Sequence, residues 1–471
     1  MPTQPRQSRP ATILLYVLLQ SLATGFMVVP IPILFRDISY TACKFELGTH
    51  TTSYTPETDP CRHVSFRAGV TLFYAMMGLF SFLSSGPLAK LLDKKDVKSV
   101  MAIVGTLNAC GDIWLYTCAR ILPQQRTAHA ILFAAVLKGL GGAPVLAKAA
   151  YWTYIENLVP LKRRSTYFSL SLFVGWCGYR FAATMSTALP QSMDMQETRL
   201  DFQLSIGLWL MYTIGAVALL HHEPDPTSYR FSLRTFGRFL WSTLGPLGAM
   251  FSTATVFLLA VAYMAVSVAT FALRSMITLT IQRYHDESKE SHAGLNVISH
   301  VLGGAILLQF AVALIVTPFF VSLYQRLFRE DTQDTQVLSE YVWSQEFTVS
   351  RVGLFAGAVG ILLVIISSSP STFIYGSYIS TLSFAAMPSI MTMVTLIAEQ
   401  NNMGTTLTGF ALMDWLITLF SECFPTILRF SGLSYERLPP TTELSIAVAL
   451  LTLGGITTFG VRRSLSRTRC K

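Results

Sequence analysis

The 471-residue chain is 52% hydrophobic and only 13% charged, with a mean hydropathy of +0.48. No soluble domain of this size needs so much apolar surface, and the composition implies a polytopic membrane protein. The net charge of +9 is scattered through loops instead of forming one stripe, which argues against a nucleic-acid surface.

Lipid leaves the backbone no hydrogen-bond partners, so apolar segments of roughly 20 residues are predicted to cross as helices. Twelve such spans are expected, at about residues 12 to 35, 66 to 89, 99 to 120, 128 to 154, 166 to 189, 202 to 220, 247 to 273, 293 to 324, 351 to 368, 371 to 398, 404 to 428 and 442 to 461. The first follows Arg6 and Arg9 but lacks a small-residue cleavage site, so it is read as a retained helix and not a signal peptide. Cys43 and Cys61 share the loop between spans 1 and 2 and are either a disulfide or two free thiols. A polar stretch at 221 to 246, punctuated by Pro224 and Pro226, divides the spans six and six. That division predicts an N-terminal bundle over 1–220, a linker over 221–246 and a C-terminal bundle with a basic tail over 247–471, the plan of a transporter with its site between two pseudo-symmetric bundles. The stretch from Arg326 to Glu346, acidic in its middle, reads as a second polar loop. No Gly-x-x-x-x-Gly-Lys-Ser/Thr motif and no soluble catalytic segment is present, so neither an enzyme nor ATP-driven transport is expected, and no cofactor or metal is called for.

Three motifs sit in the first half. After span 2 the chain reads Gly86-Pro-Leu-Ala-Lys90-Leu-Leu-Asp93-Lys94-Lys95. It resembles the Gly-x-Leu-Ala-Asp-Arg-x-Gly-Arg-Lys signature of the major facilitator superfamily, with Gly86, Leu88, Ala89, Lys94 and Lys95 in register. Lys90 stands where that family has its acid, and Asp93 where it has its second glycine. Span 4 carries Lys138-Gly-Leu-Gly-Gly142, similar to the family's Arg-x-x-x-Gly with lysine for arginine. It ends in Tyr154-Ile-Glu-Asn157-Leu-Val-Pro160-Leu-Lys-Arg-Arg164-Ser165, similar to a segment of tetracycline-type drug-efflux carriers and proton-coupled folate transporter relatives. Asn157 replaces the acid there. The resemblance implies an all-α membrane protein of two six-helix bundles, a cytoplasmic gating loop at Gly86, Lys90, Asp93, Lys94, Lys95 and Arg164, and a role in proton-linked transport for Lys138.

Ionisable side chains at helix depth are costly in lipid and are functional candidates by default. Asp112 lies roughly 20 Å from the cytoplasmic edge and Lys138 roughly 15 Å from the opposite one, so their levels differ by about 5 Å, within reach of a lysine stem. Arg180 comes out near the level of Asp112. The three are expected either to line a cavity as one charged group or, for Asp112 and Lys138, to form a permanent pair. In the second half Asp414, Glu422 and His300 are the candidates for carrying a proton. Gly139, Gly141 and Gly142 should let span 4 pack closely and bend. Trp152, Trp176, Trp209 and Trp415 either stack on a flat solute or serve packing.

The resulting expectation is a monomeric secondary transporter in the cell membrane, contacting lipid and moving a small organic solute by alternating access. Proton-coupled efflux of an amphipathic metabolite or drug-like compound comes first. Import of a folate-like or other anionic nutrient is the alternative, and a non-transporting receptor or scaffold the third. Most Lys and Arg outside the spans fall on the side that holds both termini. Basic residues stay cytoplasmic, so both termini and residues 221 to 246 are predicted on that face. Single cysteines added in the linker should resist an impermeant thiol reagent in intact cells, and strong labelling there would invert the topology.

Overall fold

The computed structural model describes residues 12–46, 67–121, 124–188, 199–219, 243–284, 335–398, 402–430 and 440–469. Among these, all regular structure is helical. In chain order the helices are α1 (Thr12–Phe26), α2 (Pro30–Glu46), α3 (Arg67–Asp93), α4 (Val97–Ile121), α5 (Gln124–Leu140), α6 (Ala143–Leu158), α7 (Arg164–Ala188), α8 (Arg199–Leu219), α9 (Gly245–Met250), α10 (Ala254–Tyr284), α11 (Thr335–Ile366), α12 (Pro370–Thr381), α13 (Ala386–Ile397), α14 (Met403–Phe430) and α15 (Pro440–Arg469). Short 3-10 turns at Leu161–Arg163 and Leu382–Ala385 precede α7 and α13. Every expected span except the eighth, which lies outside the described residues, coincides with a helix or a pair of helices. Among the described residues, 8 helical stretches are long and apolar enough to cross a membrane.

Internal packing divides the chain into two compact units. One is Met1–Thr153 with Val174–Pro246 and Thr418–Phe430, and the other is Tyr154–Phe173 with Leu247–Ile417 and Ser431–Lys471. In the first unit α4 packs on α8 and α5, α3 on α5, and α1 on α8. In the second, α10 packs on α15, and α11 on α12, α13 and α15.

Helix α11 sorts its apolar residues by the 3.6-residue period, yet both of its faces are apolar. On α11, Leu354, Ala358, Ile361 and Val364 are buried while Val352, Phe355, Val359, Leu362 and Ile366 are exposed. In water so broad an exposed ridge would drive association, whereas in lipid it is the solvated face. Helix α11 begins well before the expected ninth span. Residues 335–346 are its first turns, and Gln345 and Glu346 are buried, so the end of the presumed polar loop is packed helix. The acidic letters of that stretch concealed a helical face that points inward.

Among the described spans, the first, fourth, seventh and tenth are interrupted. The breaks fall at residues 27–29, 141–142, 251–253 and 382–385. A break at every third span is a repeat written in the backbone, matching three-helix units nested in each half. In span 4 the break needs Gly142, whose φ of +71° is open to glycine and strained for other residues. Its N–H donates to the Gly139 carbonyl at 2.6 Å, closing the turn between α5 and α6.

The loop after span 2 forms a regular turn. Helix α3 runs through Asp93 and closes with Lys95 N–H on Leu92 O (2.9 Å) and Asp96 N–H on Leu91 O (3.0 Å). This is a Schellman cap, with Lys95 at φ 61° in the position usually given to glycine. Asp96 then opens α4, its Oδ1 accepting from Ser99 N–H at 3.1 Å. The left-handed residue thus lies two places past Asp93, and the loop closes in a regular turn. Replacing Lys95 with Gly should relieve about 1 kcal/mol of backbone strain and raise the thermal midpoint, while Lys94→Gly, at a negative-φ position, should not.

Candidate functional site

Asp112 sits on α4 with no solvent exposure, and Lys138, on α5, is 8% exposed. Their side chains form an ion pair from Lys138 Nζ to Asp112 Oδ1. The lysine stem reaches inward because α4 presents Gly111 to it. A Cβ there would lie 2.5 Å from Lys138 Cγ. The second carboxylate oxygen accepts from Ser205 Oγ on α8 at 2.7 Å, and that hydroxyl also lies 3.0 Å from the Ala23 carbonyl of α1. Asp112 thus has a counter-charge on one oxygen and a hydrogen bond on the other. Four helices meet at one fully compensated charge. One turn beyond Lys138 the helix breaks at 141–142, so the pair sits beside the most irregular backbone of its span.

Arg180 does not join this group. It is exposed on α7, with its guanidinium 5.5 Å from the Trp176 ring. Lys148 lies 5.0 Å from the Trp152 ring, and Trp152 and Trp209 are buried at 1% and 2% exposure, which places both in packing. Trp209 stacks edge-on against Tyr212, which in turn meets Tyr16 and Tyr151. This aromatic cluster joins α1, α6 and α8 inside the first unit.

In the second unit Asp414 on α14 is half-buried and accepts from Ser267 Oγ of α10 at 2.8 Å. Tyr263, one turn earlier on α10, lies in the field of Asp414 and packs edge-on against Phe410. A serine on a neighbouring helix therefore holds the candidate carboxylate in each unit. The Glu422 side chain and the whole of His300 lie outside the described residues. Cys43 is disulfide-bonded, and Cys61 lies outside the described residues.

Of the expected gating residues, Gly86 is buried in α3, Asp93 is half-buried, and Lys90, Lys94 and Lys95 are exposed. Arg164 is better anchored. Its guanidinium donates to the carbonyls of Val159 (3.2 Å) and Glu156 (2.9 Å) and to Thr395 Oγ1 (3.2 Å), and pairs with the Glu156 carboxylate at 3.5 Å. Burial pulls its pKa below the ordinary arginine value, and the Glu156 charge pulls it back up. One side chain thus caps the end of α6 and ties it to α13. Among the described residues no group of three or more His, Cys, Asp or Glu is placed to hold a metal.

Two buried carboxylates escaped the sequence reading. Asp201, at the start of α8, accepts from Ser186 Oγ at 2.7 Å. Glu346, on α11, is 2% exposed. Both lie near the ends of their spans, where a depth criterion expects solvated acids.

No family model matches the sequence. An uncharacterized membrane protein of Schizosaccharomyces pombe is 22% identical over 227 residues, which are 47% of this chain and 34% of that one. The match thus spans about a third of the length of that relative. Solved structures match nearly end to end. The human organic anion transporter MFSD10 (TETRAN) superposes with a TM-score of 0.66 at 13% identity, covering 97% of this chain and 100% of that one. An outward-facing bacterial homologue of the iron transporter ferroportin gives 0.64 at 12% identity, covering 97% and 100%. The Escherichia coli fucose–proton symporter FucP gives 0.61 at 11% identity, covering 96% and 98%. The chain has the major facilitator fold, and it is a multi-pass membrane protein.

The charge-compensated group makes a quantitative prediction. Lys138→Met leaves Asp112 charged and unpaired in a dry interior and should destabilise the protein by about 3 to 5 kcal/mol. Adding Asp112→Asn removes that charge and should recover most of the loss. Unfolding of the purified protein in detergent measures both, and equal losses in single and double variants would refute the account.

Proposed function

We propose that this chain belongs to the major facilitator superfamily and acts as a secondary transporter. It moves a small organic solute by alternating access, coupled to protons, in the direction of efflux. The observation that carries the proposal is the compensated Asp112–Lys138–Ser205 group. It places ionisable side chains at mid-depth beside a broken helix, in a fold shared with solved transporters. Such an arrangement is expensive in lipid and has value where charge or solute must pass.

The Asp112 carboxylate, held by lysine and serine, positions the helices of the first unit. Asp414 is assigned the coupling proton. Its hydrogen bond to Ser267 suits that role because a hydroxyl donates to a carboxylate and accepts from a carboxylic acid. Proton uptake would reverse that bond without orphaning either partner. Lys94 and Lys95 are assigned to the cytoplasmic gate, where exposed pairs of about 0 to 1 kcal/mol each can be made and broken in every cycle, and Arg164 to holding the end of α6 against α13. The solved fucose–proton symporter supports proton coupling, and the organic anion transporter supports an organic solute.

Import of an anionic nutrient is the second reading, favoured by the exposed guanidinium of Arg180 in the first unit. A non-transporting scaffold is the third reading, motivated by Lys90 in the place of the signature's acid, while the turn kept at Lys95 favours a working loop. Comparison of metabolites inside and outside expressing and deleted cells separates these readings. Efflux lowers the internal content of one solute class on expression, import raises it, and an unchanged profile would refute transport. Asp414→Asn should express normally while abolishing the dependence of that content on an imposed pH gradient. A retained dependence would take the proton role from Asp414.

A further inference from the structure

Glu346 is a buried ionisable side chain that the transport scheme above leaves unused. It lies about 6 Å inside the span that begins at Val342. The hydroxyls of Ser165 and Ser389 flank its carboxyl group and interact with it. Yet Glu346 Oε2, Ser165 Oγ and Ser389 Oγ are each buried without a hydrogen bond of full geometry. The three residues are 2%, 1% and 0% exposed. They come from three segments of the second unit, namely α11, the start of α7 and α13. Three orphaned oxygens gathered at one buried carboxyl are unusual, because native interiors satisfy nearly all such atoms.

A water molecule would satisfy the oxygens and leave the charge uncompensated. Among the described residues no lysine or arginine pairs with Glu346. The charged groups on the surrounding elements are committed or turned to solvent. Arg164 is held by Glu156, Val159 and Thr395, and Arg351 is stacked between Phe347 and Phe459 at 3.9 and 3.8 Å and bonds Thr458. Lys162 and Arg163 are exposed on the 3-10 turn, and Asp414 is bonded to Ser267. An uncompensated buried carboxylate costs far more than its hydrogen bonds return.

We propose that Glu346, Ser165 and Ser389 form a binding site for a small monovalent cation, either a proton or a sodium ion, whose occupancy fastens the Tyr154–Phe173 segment to α11 and α13. Hard oxygen donors of one carboxylate and two hydroxyls suit either ion. Arg164 reinforces the same junction, because its Thr395 contact lies on α13 two turns from Ser389.

The test uses the purified full chain in lipid nanodiscs and reads the thermal midpoint, so its outcome does not depend on transport. Sodium chloride is exchanged for N-methylglucamine chloride at constant ionic strength, at mildly acidic and mildly alkaline pH. A sodium site raises the midpoint by several degrees when sodium is present at alkaline pH. A proton site raises it on acidification without sodium. In either case Glu346→Gln should abolish the difference and, at alkaline pH without sodium, melt above the wild type, since the amide is neutral and of the same size. Ser165→Ala with Ser389→Ala should weaken the sodium response in particular. A wild-type midpoint indifferent to both ions, or a Glu346→Gln variant that keeps the full response, overturns the site.

Discussion

The ion pair between Asp112 and Lys138 is the constraint around which the first unit is arranged. A lone charge at that depth would shed its proton, gain one, or unfold the bundle, so each neighbour is shaped to prevent this. Gly111 clears the path of the lysine stem, Ser205 occupies the second carboxylate oxygen, and the Ala23 carbonyl lies against the serine hydroxyl. The helices that supply these groups are also the helices that pack on one another, so one polar junction and the apolar packing around it specify the same arrangement. Between helices in lipid there is little hydrophobic drive, and junctions of this kind, with close glycine contacts, are what select one packing over others.

The same economy of polar groups recurs in the second unit. Asp414 is held by Ser267, Arg164 by two carbonyls, a carboxylate and a threonine, and Arg351 by two aromatic faces and Thr458. Hydroxyl side chains take part in each case. They hydrogen-bond back to their own helix when idle, as Thr392, Thr408 and Ser377 do, and so sit in lipid at little cost. The interrupted spans add the second ingredient, backbone that can bend without leaving its polar groups in contact with lipid.

Much of this was legible in the chain. The spans were, because apolar runs of bilayer length leave no alternative to helices. Depth brought Asp112 and Lys138 to similar levels and left two arrangements open, a permanent pair or a larger group with Arg180, and the structure shows the pair. Ser205 was not legible, because serine is common in such helices and nothing in its spacing marks it. Arg180 shared the level of Asp112 and nevertheless lies exposed beside Trp176, away from the pair, because depth says nothing of azimuth. Glu346 reads in the sequence as the end of a polar loop, since the acidic residues before it mask the first turns of α11.

The sequence by itself determined the solvent, the helical class, the places of the described spans and the similar levels of Asp112 and Lys138. Those follow from composition and from a one-dimensional period, which local physics reads directly. Only the tertiary structure decided which face of each helix turned inward, which serine reached which carboxylate, and where the left-handed residue of the Lys95 turn came to rest. Those depend on the rotation and contact of neighbouring helices, quantities that arise when distant segments meet.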